Sequence, residues 1–151
     1  MDVTPIYINM CKKAEEIQNI RQADDCVDRD EWWQPGDFIF NKDEEYIFTV
    51  CGVRHCAYDT GYFNNKDSIW LPRQDQLQEM IRKDYKIVLS GFNFWESGGE
   101  IAHLKTDNTN IDIQIFSGLD MRDKFASMEQ LWLAFVMQNL YRKVWDGNNW
   151  I

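Results

Sequence analysis

The sequence has few of the residues that usually build structural zinc sites. Its 151 residues include two histidines and four cysteines, and no two cysteines are spaced as Cys-x-x-Cys. Structural zinc sites commonly use that pairing, so we expect no zinc and no other cofactor. The candidate ligands that remain are Cys51, His55 and Cys56, with Cys26 or His103 as a further ligand. The competing interpretation is that Cys11 and Cys51 are core thiols and that the loop histidine is solvated.

Long apolar runs are also missing. No segment approaches the ~20 residues that a helix needs to span a bilayer. The first ten residues, MDVTPIYINM, lack the basic and apolar regions of a signal peptide. We therefore expect a cytoplasmic protein that does not engage a membrane and whose cysteines are thiols.

Positive charge is scarce as well. Lys and Arg number 16 against 25 Asp and Glu, which gives a formal net charge of -9. Residues 23–67 hold eleven acidic and four basic residues, a net of -7. Such a chain repels phosphate backbones, so we expect no direct nucleic-acid binding. The acidic surface either keeps the protein soluble or competes with DNA for a basic partner.

The composition nevertheless supports a folded core. Apolar residues make up 44% of the chain and aromatic residues 15%. This composition is typical of a globular protein, and the length suits one domain over residues 1–151. We predict an α+β domain in which N-terminal, middle and C-terminal helices pack on a small, mainly antiparallel sheet.

The predicted N-terminal helix spans residues 4–22. Thr4 is suited to the N-cap and Pro5 to the first helical position. Apolar residues recur at helical spacing along one face, which is predicted to be buried. These residues are Ile6, Met10, Ala14, Ile17 and Ile20.

The middle of the chain alternates strand and helix signals. The runs 38–40 and 46–51 flank the turn NKDEE and predict a hairpin. Residues 69–71 are strand-like, and Pro72 can start the helix that follows. Residues 85–90 alternate as a strand does. A second hairpin is predicted around TDNTN, with Ile111, Ile113 and Ile115 facing inward.

The C-terminal helix has the clearest start signal. Ser127 and Gln130 fit a capping box, and Gly147 is a plausible stop. One apolar stripe consists of Leu133, Val136, Met137, Leu140 and Val144, and Leu131, Ala134 and Phe135 lie on the other side. A helix with two apolar faces must be covered twice. We expect coverage within the chain, by the N-terminal helix or by Trp150 and Ile151, and a second copy is the alternative, so the protein is a monomer or a homodimer.

Four residues are candidates for an interaction site. Within PRQDQLQ, Pro72 and Asp75 suit the helix start and its dipole. Arg73 and Gln76 are not required by that role, which leaves a polar contact to another element or to a partner open. Trp32 and Trp33 are adjacent, and neighbouring strand residues point to opposite faces, so one of them is expected to be exposed.

Catalytic signals are weak. Asp84-Tyr85-Lys86, with Asp75, is a fragment of a metal-nuclease pattern. Glu96, Glu100 and His103 are residue types that do acid–base chemistry, but Gly98-Gly99 interrupts their segment. No nucleophile elbow, P-loop or dinucleotide fingerprint is present, so the balance is against an enzyme.

Three longer motifs suggest an origin. TPIYINMCKKAEEIQ, WLPRQDQLQEMI and SMEQLWLAFVMQNLYRKVWDGNNW together resemble a family of small uncharacterised phage and prophage proteins. The resemblance implies an accessory protein in a bacterial cytoplasm, without an established reaction or cofactor. We expect it to act by contact with a host or phage protein. An acidic DNA mimic that inhibits a host nucleic-acid enzyme and an unrecognised hydrolase are the alternatives.

Overall fold

A computed structural model of the chain describes residues 1–22, 34–43, 45–50, 68–81, 85–96, 105–106, 109–110 and 124–151. The helices are α1 Pro5–Lys13, α2 Glu15–Gln22, α3 Gln74–Met80, α4 Tyr85–Glu96 and α5 Met128–Tyr141. The strands are β1 Phe38–Asn41, β2 Tyr46–Thr49, β3 Ser68–Leu71, β4 Lys105–Thr106 and β5 Thr109–Asn110. The α+β class is confirmed. In the parts of the chain just given, no helix is long and apolar enough to cross a membrane.

The chain divides into two compact units. The first combines Met1–Arg73 with Gly147–Trp150, and the second combines Gln74–Asp146 with Ile151. The first unit contains α1, α2 and the three-stranded sheet, and the second contains α3, α4 and α5. A single domain over 1–151 stays a prediction.

The N-terminal helical segment is two helices and not one. Thr4 caps α1 as predicted, because its Oγ1 accepts a hydrogen bond from the Tyr7 N–H at 3.3 Å. Ala14 then leaves the helical conformation, with φ -86° and ψ 68°, and α2 follows. The Ala14 N–H is shared between the carbonyls of Met10 and Cys11 at 3.1 Å each. The predicted continuous helix over 4–22 is therefore wrong at this position.

The buried face of this segment also differs from the prediction at its two ends. Met10, Ala14 and Ile17 are fully buried, as predicted. Ile6 and Ile20 are 56% and 45% exposed. The buried face is rotated toward residues that the prediction left out, namely Tyr7 and Cys11. Tyr7, Met10, Cys11 and Ala14 have the i, i+3, i+4, i+7 spacing of a helical stripe.

The first unit contains a three-stranded antiparallel sheet in the order β2-β1-β3. Phe38 lies opposite Thr49 on β2 and opposite Leu71 on β3, and the remaining residues pair in the same register. This confirms the hairpin around NKDEE and the strand predicted at 69–71. Ile39, at the centre of the sheet, is fully buried, and α1 packs against β3.

The turn that leads into β1 is fixed by its own residues. Gln34, Pro35, Gly36 and Asp37 form a turn in which the Asp37 N–H donates to the Gln34 carbonyl at 2.9 Å. Gly36 has φ +88°, the value that a type II turn requires after proline. Val50 accepts from the Gly36 N–H and donates to the Asp37 carbonyl. Two residues thus oppose one, which is the hydrogen-bond pattern of a G1 β-bulge.

A side chain closes the outer edge of β3. The Gln18 Nε2 donates to the Trp70 carbonyl at 3.0 Å, and the Gln18 Oε1 accepts from the Trp70 N–H at 2.9 Å. This amide makes the two hydrogen bonds that a further strand would make. Unpaired edge groups are a template for unwanted pairing, so this contact protects the β3 edge.

In the second unit, α5 is buried on both faces. All residues from Gln130 to Gln138 are buried. Phe92 of α4 stacks on Trp132, with ring centroids 4.0 Å apart and planes 5° apart, and meets Phe135 edge to face at 5.4 Å. Phe135 is 1% exposed within a single chain. Coverage of this face within the chain is confirmed, and the ring that covers Phe135 comes from α4, which the prediction did not name.

Other predictions for the second unit need correction. Residues 85–90 belong to α4 and not to a strand. The helix α5 ends at Tyr141, because Arg142 adopts the left-handed conformation with φ 60° and ψ 29°, so Gly147 is not its stop. Two residues assigned to the apolar stripe also differ: Leu140 is 43% exposed, and Val144 lies beyond the helix.

Two further elements lie close to their predicted positions. The helix α3 begins at Gln74, two residues after Pro72, and it buries Leu77. β4 and β5 pair antiparallel, with Lys105 opposite Asn110. This places a short hairpin inside the segment predicted to form one. Ile111, Ile113 and Ile115 lie outside the described residues.

Candidate interaction surface

Arg73 has a contact inside the chain. Its Nη1 donates to the Gly36 carbonyl, in the turn before β1. The preceding residue is also held, because the Tyr7 hydroxyl donates to the Pro72 carbonyl. The polar contact to another element that the sequence left open is thus present. It gives Arg73 a part in fixing the turn, and any contact of Arg73 with a partner stays a prediction.

The other three predicted interaction residues are not brought together with Arg73 by any described contact. Gln76 is half-buried on α3. Trp32 and Trp33 lie outside the described residues, so their predicted exposure stays a prediction. An interaction site formed by these four residues therefore stays a prediction.

The candidate metal and catalytic residues lie mostly outside the described residues. The candidates that lie outside the described residues are Cys26, Cys51, His55, Cys56, Asp84, Glu100 and His103. Among the described candidates, Asp75 is exposed in the first turn of α3, and Glu96 is half-buried at the end of α4. No three His, Cys, Asp or Glu side chains among the residues that can be described lie together as metal ligands.

Cys11 is a poor nucleophile. The thiol is fully buried, and burial raises its pKa far above the ordinary value. The charge of Asp2 raises the pKa further, and a hydrogen bond with Tyr7 lowers it. A thiol is reactive as the thiolate, so this environment suppresses reactivity. The prediction of a core thiol is confirmed for Cys11.

The clearest surface feature of the first unit is a pair of exposed apolar side chains at the start of α1. Val3 is 51% exposed and Ile6 is 56% exposed. We call these two residues the N-terminal apolar pair. The sequence pattern predicts Ile6 on the buried face, because Ile6 has helical spacing with Met10, and it leaves out the competing stripe through Tyr7 and Cys11.

Hydrogen bonds fix the backbone that carries this pair. The Asp2 carboxylate is buried and accepts from the Thr4 N–H at 2.8 Å. Thr4 in turn caps α1 through the Tyr7 N–H. Val3 and Ile6 flank this cap, so their positions are set by it. The first turn of α1 has no acidic residue, and exposed Lys12 and Lys13 end the helix.

Comparisons with known proteins gave no match. No protein-family model, no curated protein and no solved structure matches the chain. The resemblance to phage and prophage proteins therefore stays a prediction that rests on the three sequence motifs.

Proposed function

We propose that this chain is a non-enzymatic accessory protein of phage or prophage origin that acts in the bacterial cytoplasm by binding another protein. The N-terminal apolar pair is the observation that carries this proposal. The two side chains are more than half exposed on a segment that capping hydrogen bonds hold in place. A partner can bury them without a large cost for ordering the backbone.

The free energy gained by covering the N-terminal apolar pair is modest. Full burial of a Val or Ile side chain contributes about 1.5–3 kcal/mol, so covering the exposed half of each contributes roughly 1 kcal/mol. Two such residues do not make an interface, so a partner must also bury surface around them.

Capture from a host lysate tests the proposal. Three immobilised proteins are compared: wild type, the double variant Val3→Ser with Ile6→Ser, and a control with Leu89→Ser and Leu140→Ser. The control removes two apolar side chains that are each 43% exposed in the second unit. Circular dichroism and thermal melts establish that all three are folded.

We expect a protein that wild type and control retain and that the N-terminal double variant loses. Equal capture by all three would show that the N-terminal apolar pair is not the interface. A wild type that retains nothing specific would contradict an interaction function. A retained nucleic-acid enzyme that added DNA displaces would favour the acidic inhibitor, which no described contact supports at present.

A further inference from the structure

Asp146 and Gly147 form a pair of residue types that occurs once in the sequence. Of the eight glycines, only Gly147 follows an aspartate, and none follows an asparagine. Both residues are exposed in the segment after α5. Gly147 has φ +110°, and within the described ranges a Cβ placed on it would meet no atom beyond its chain neighbours within 4 Å. The space around Gly147 is therefore open, and no side chain of its own shields the peptide nitrogen that joins it to Asp146.

The carboxyl group of Asp146 and the peptide nitrogen of Gly147 can react with each other, because closing them forms a five-membered ring. The nitrogen attacks the carbon of the neutral carboxyl, and a new C–N bond forms. The amide proton and the carboxyl hydroxyl leave together as water, which gives a succinimide. Water then opens the ring. Cleavage at the side-chain carbonyl restores aspartate, and cleavage at the main-chain carbonyl gives isoaspartate. Two groups held on one short chain segment react without the cost of bringing them together.

We propose that Asp146 is a site of spontaneous isomerisation to isoaspartate in the folded protein. A side chain on the following residue hinders the approach of the nitrogen to the carboxyl carbon, and glycine has none. Asp43 provides the contrast, because it is exposed in the turn between β1 and β2 but is followed by Glu44. The proposal involves no residue of the N-terminal apolar pair, so it is independent of the proposed function.

Isomerisation would lengthen the main chain inside a closed loop. Val144 and Ile151 exchange two backbone hydrogen bonds, at 2.8 and 3.0 Å, and Asp146 lies between them in sequence. Isoaspartate adds one methylene group to the main chain and leaves the α-carboxylate as a side group. The lengthened loop no longer matches the spacing of these two bonds. We therefore expect the amide protons of Val144 and Ile151 to exchange with solvent faster in the isomerised protein.

Incubation in heavy-oxygen water tests the proposal. Folded wild type, the variant Asp146→Glu and the free peptide KVWDGNNW are held in a mildly acidic buffer, where more of a carboxyl group is neutral than at pH 7. Circular dichroism before and after establishes that both proteins stay folded. After digestion, chromatography separates isoaspartate from aspartate peptides. Fragmentation in a mass spectrometer assigns each incorporated oxygen to a residue, because every passage through the succinimide takes one oxygen from the solvent.

We expect heavy oxygen and isoaspartate to accumulate at position 146 of the folded wild type, at a rate comparable to that in the peptide. Both should be absent at position 146 of Asp146→Glu, whose ring would have six members, and at Asp43 of either protein. A wild type that stays unmodified at Asp146 while the peptide isomerises overturns the proposal, because the fold then protects the pair. Equal incorporation at Asp43 also overturns it, because the glycine then gives no selectivity.

Discussion

The indole nitrogen of Trp150 donates a hydrogen bond to the carbonyl oxygen of Met10 at 3.0 Å, although 140 residues separate them in sequence. The last carbonyls of a helix have no partner within it and need one from elsewhere. At the end of α1, the Met10 carbonyl accepts hydrogen bonds from Ala14 and Trp150, and the Cys11 carbonyl accepts from Ala14 and Gln18. These contacts stabilise the break between α1 and α2.

Replacing the donor tests the importance of this contact. We expect Trp150→Phe to lower the free energy of unfolding by about 1–3 kcal/mol, through the lost hydrogen bond and the smaller buried ring. Ile151→Ala is the control, because that side chain is 72% exposed and its loss should cost under ~0.5 kcal/mol. Denaturant melts measure both. Equal stability of the two variants would show that the indole contact contributes little.

Gly36 lies in the turn before β1, and Gly147 is a control position with a similar backbone conformation. Both have positive φ, +88° and +110°, so alanine is strained at either position. At Gly36 the added Cβ would also lie 3.2 Å from the Arg73 Nη1, whereas at Gly147 it meets nothing within 4 Å. Each substitution should cost about 1 kcal/mol or more. We expect Gly36→Ala to cost more in denaturant melts, and a larger loss for Gly147→Ala would contradict a contribution from the Arg73 contact.

Phe135 belongs to the aromatic cluster of the second unit and lies on the second apolar face of α5. Phe135→Ala should lower stability by roughly 3–5 kcal/mol, the usual cost of removing a core aromatic side chain. It should leave the oligomeric state unchanged, because Phe92 and Trp132 of the same chain cover the ring. Denaturant melts and light scattering measure the two effects. A variant that melts like wild type but changes mass would assign this face to an interface.

Local signals predicted the elements whose ends are set locally. Thr4 and Ser127 each accept the hydrogen bond expected of an N-cap. The hairpin around NKDEE followed from alternation and turn residues. Gln130 was expected to reach back to the N-cap N–H, and it reaches the Ala126 N–H, one residue earlier. Such short-range chemistry depends on neighbours in sequence and can be predicted from it.

The errors come from contacts between distant residues. Residues 85–90 alternate as a strand does, yet Tyr85, Val88 and Phe92 also fit a helical stripe, and Phe92 packs on Trp132 of α5. The sequence at the Ala14 break contains no glycine or proline that would predict it. The break is stabilised in part by the distant Trp150. Ile6 is exposed because another face of α1 packs against β3. None of these contacts can be derived from a local pattern.

The raised pKa of Cys11 predicts how stability depends on alkaline pH. The folded-state pKa lies above the unfolded value of about 8.5, so above that pH the unfolded state binds fewer protons. The contribution of Cys11 is therefore fully present below about pH 8.5 and decreases as pH rises toward the folded-state pKa. Melts of wild type and Cys11→Ala across pH 7–10 isolate it. Wild type should lose more stability than the variant, and parallel profiles would contradict a buried neutral thiol.

Gln18→Glu tests whether the amide at the β3 edge acts as a strand substitute. Gln18 donates to the carbonyls of Cys11 and Trp70, at 3.1 and 3.0 Å, and a carboxylate cannot donate to either. We expect a loss of about 1–3 kcal/mol at pH 7, the usual cost of leaving such groups without a donor.

Facing two carbonyls, the introduced carboxyl should have a folded-state pKa above its unfolded value of about 4.3. Its destabilising effect should then be smallest below pH ~4, where a neutral carboxyl donates to one of the two carbonyls, and grow as pH rises through the folded-state pKa. Gln18→Met removes the hydrogen bonds without adding a titrating group, so its deficit relative to wild type should not change over this range. Denaturant melts of the three proteins between pH 4 and 8 separate the cases, and a deficit of Gln18→Glu that is the same at every pH would contradict the amide's role as a donor to these carbonyls.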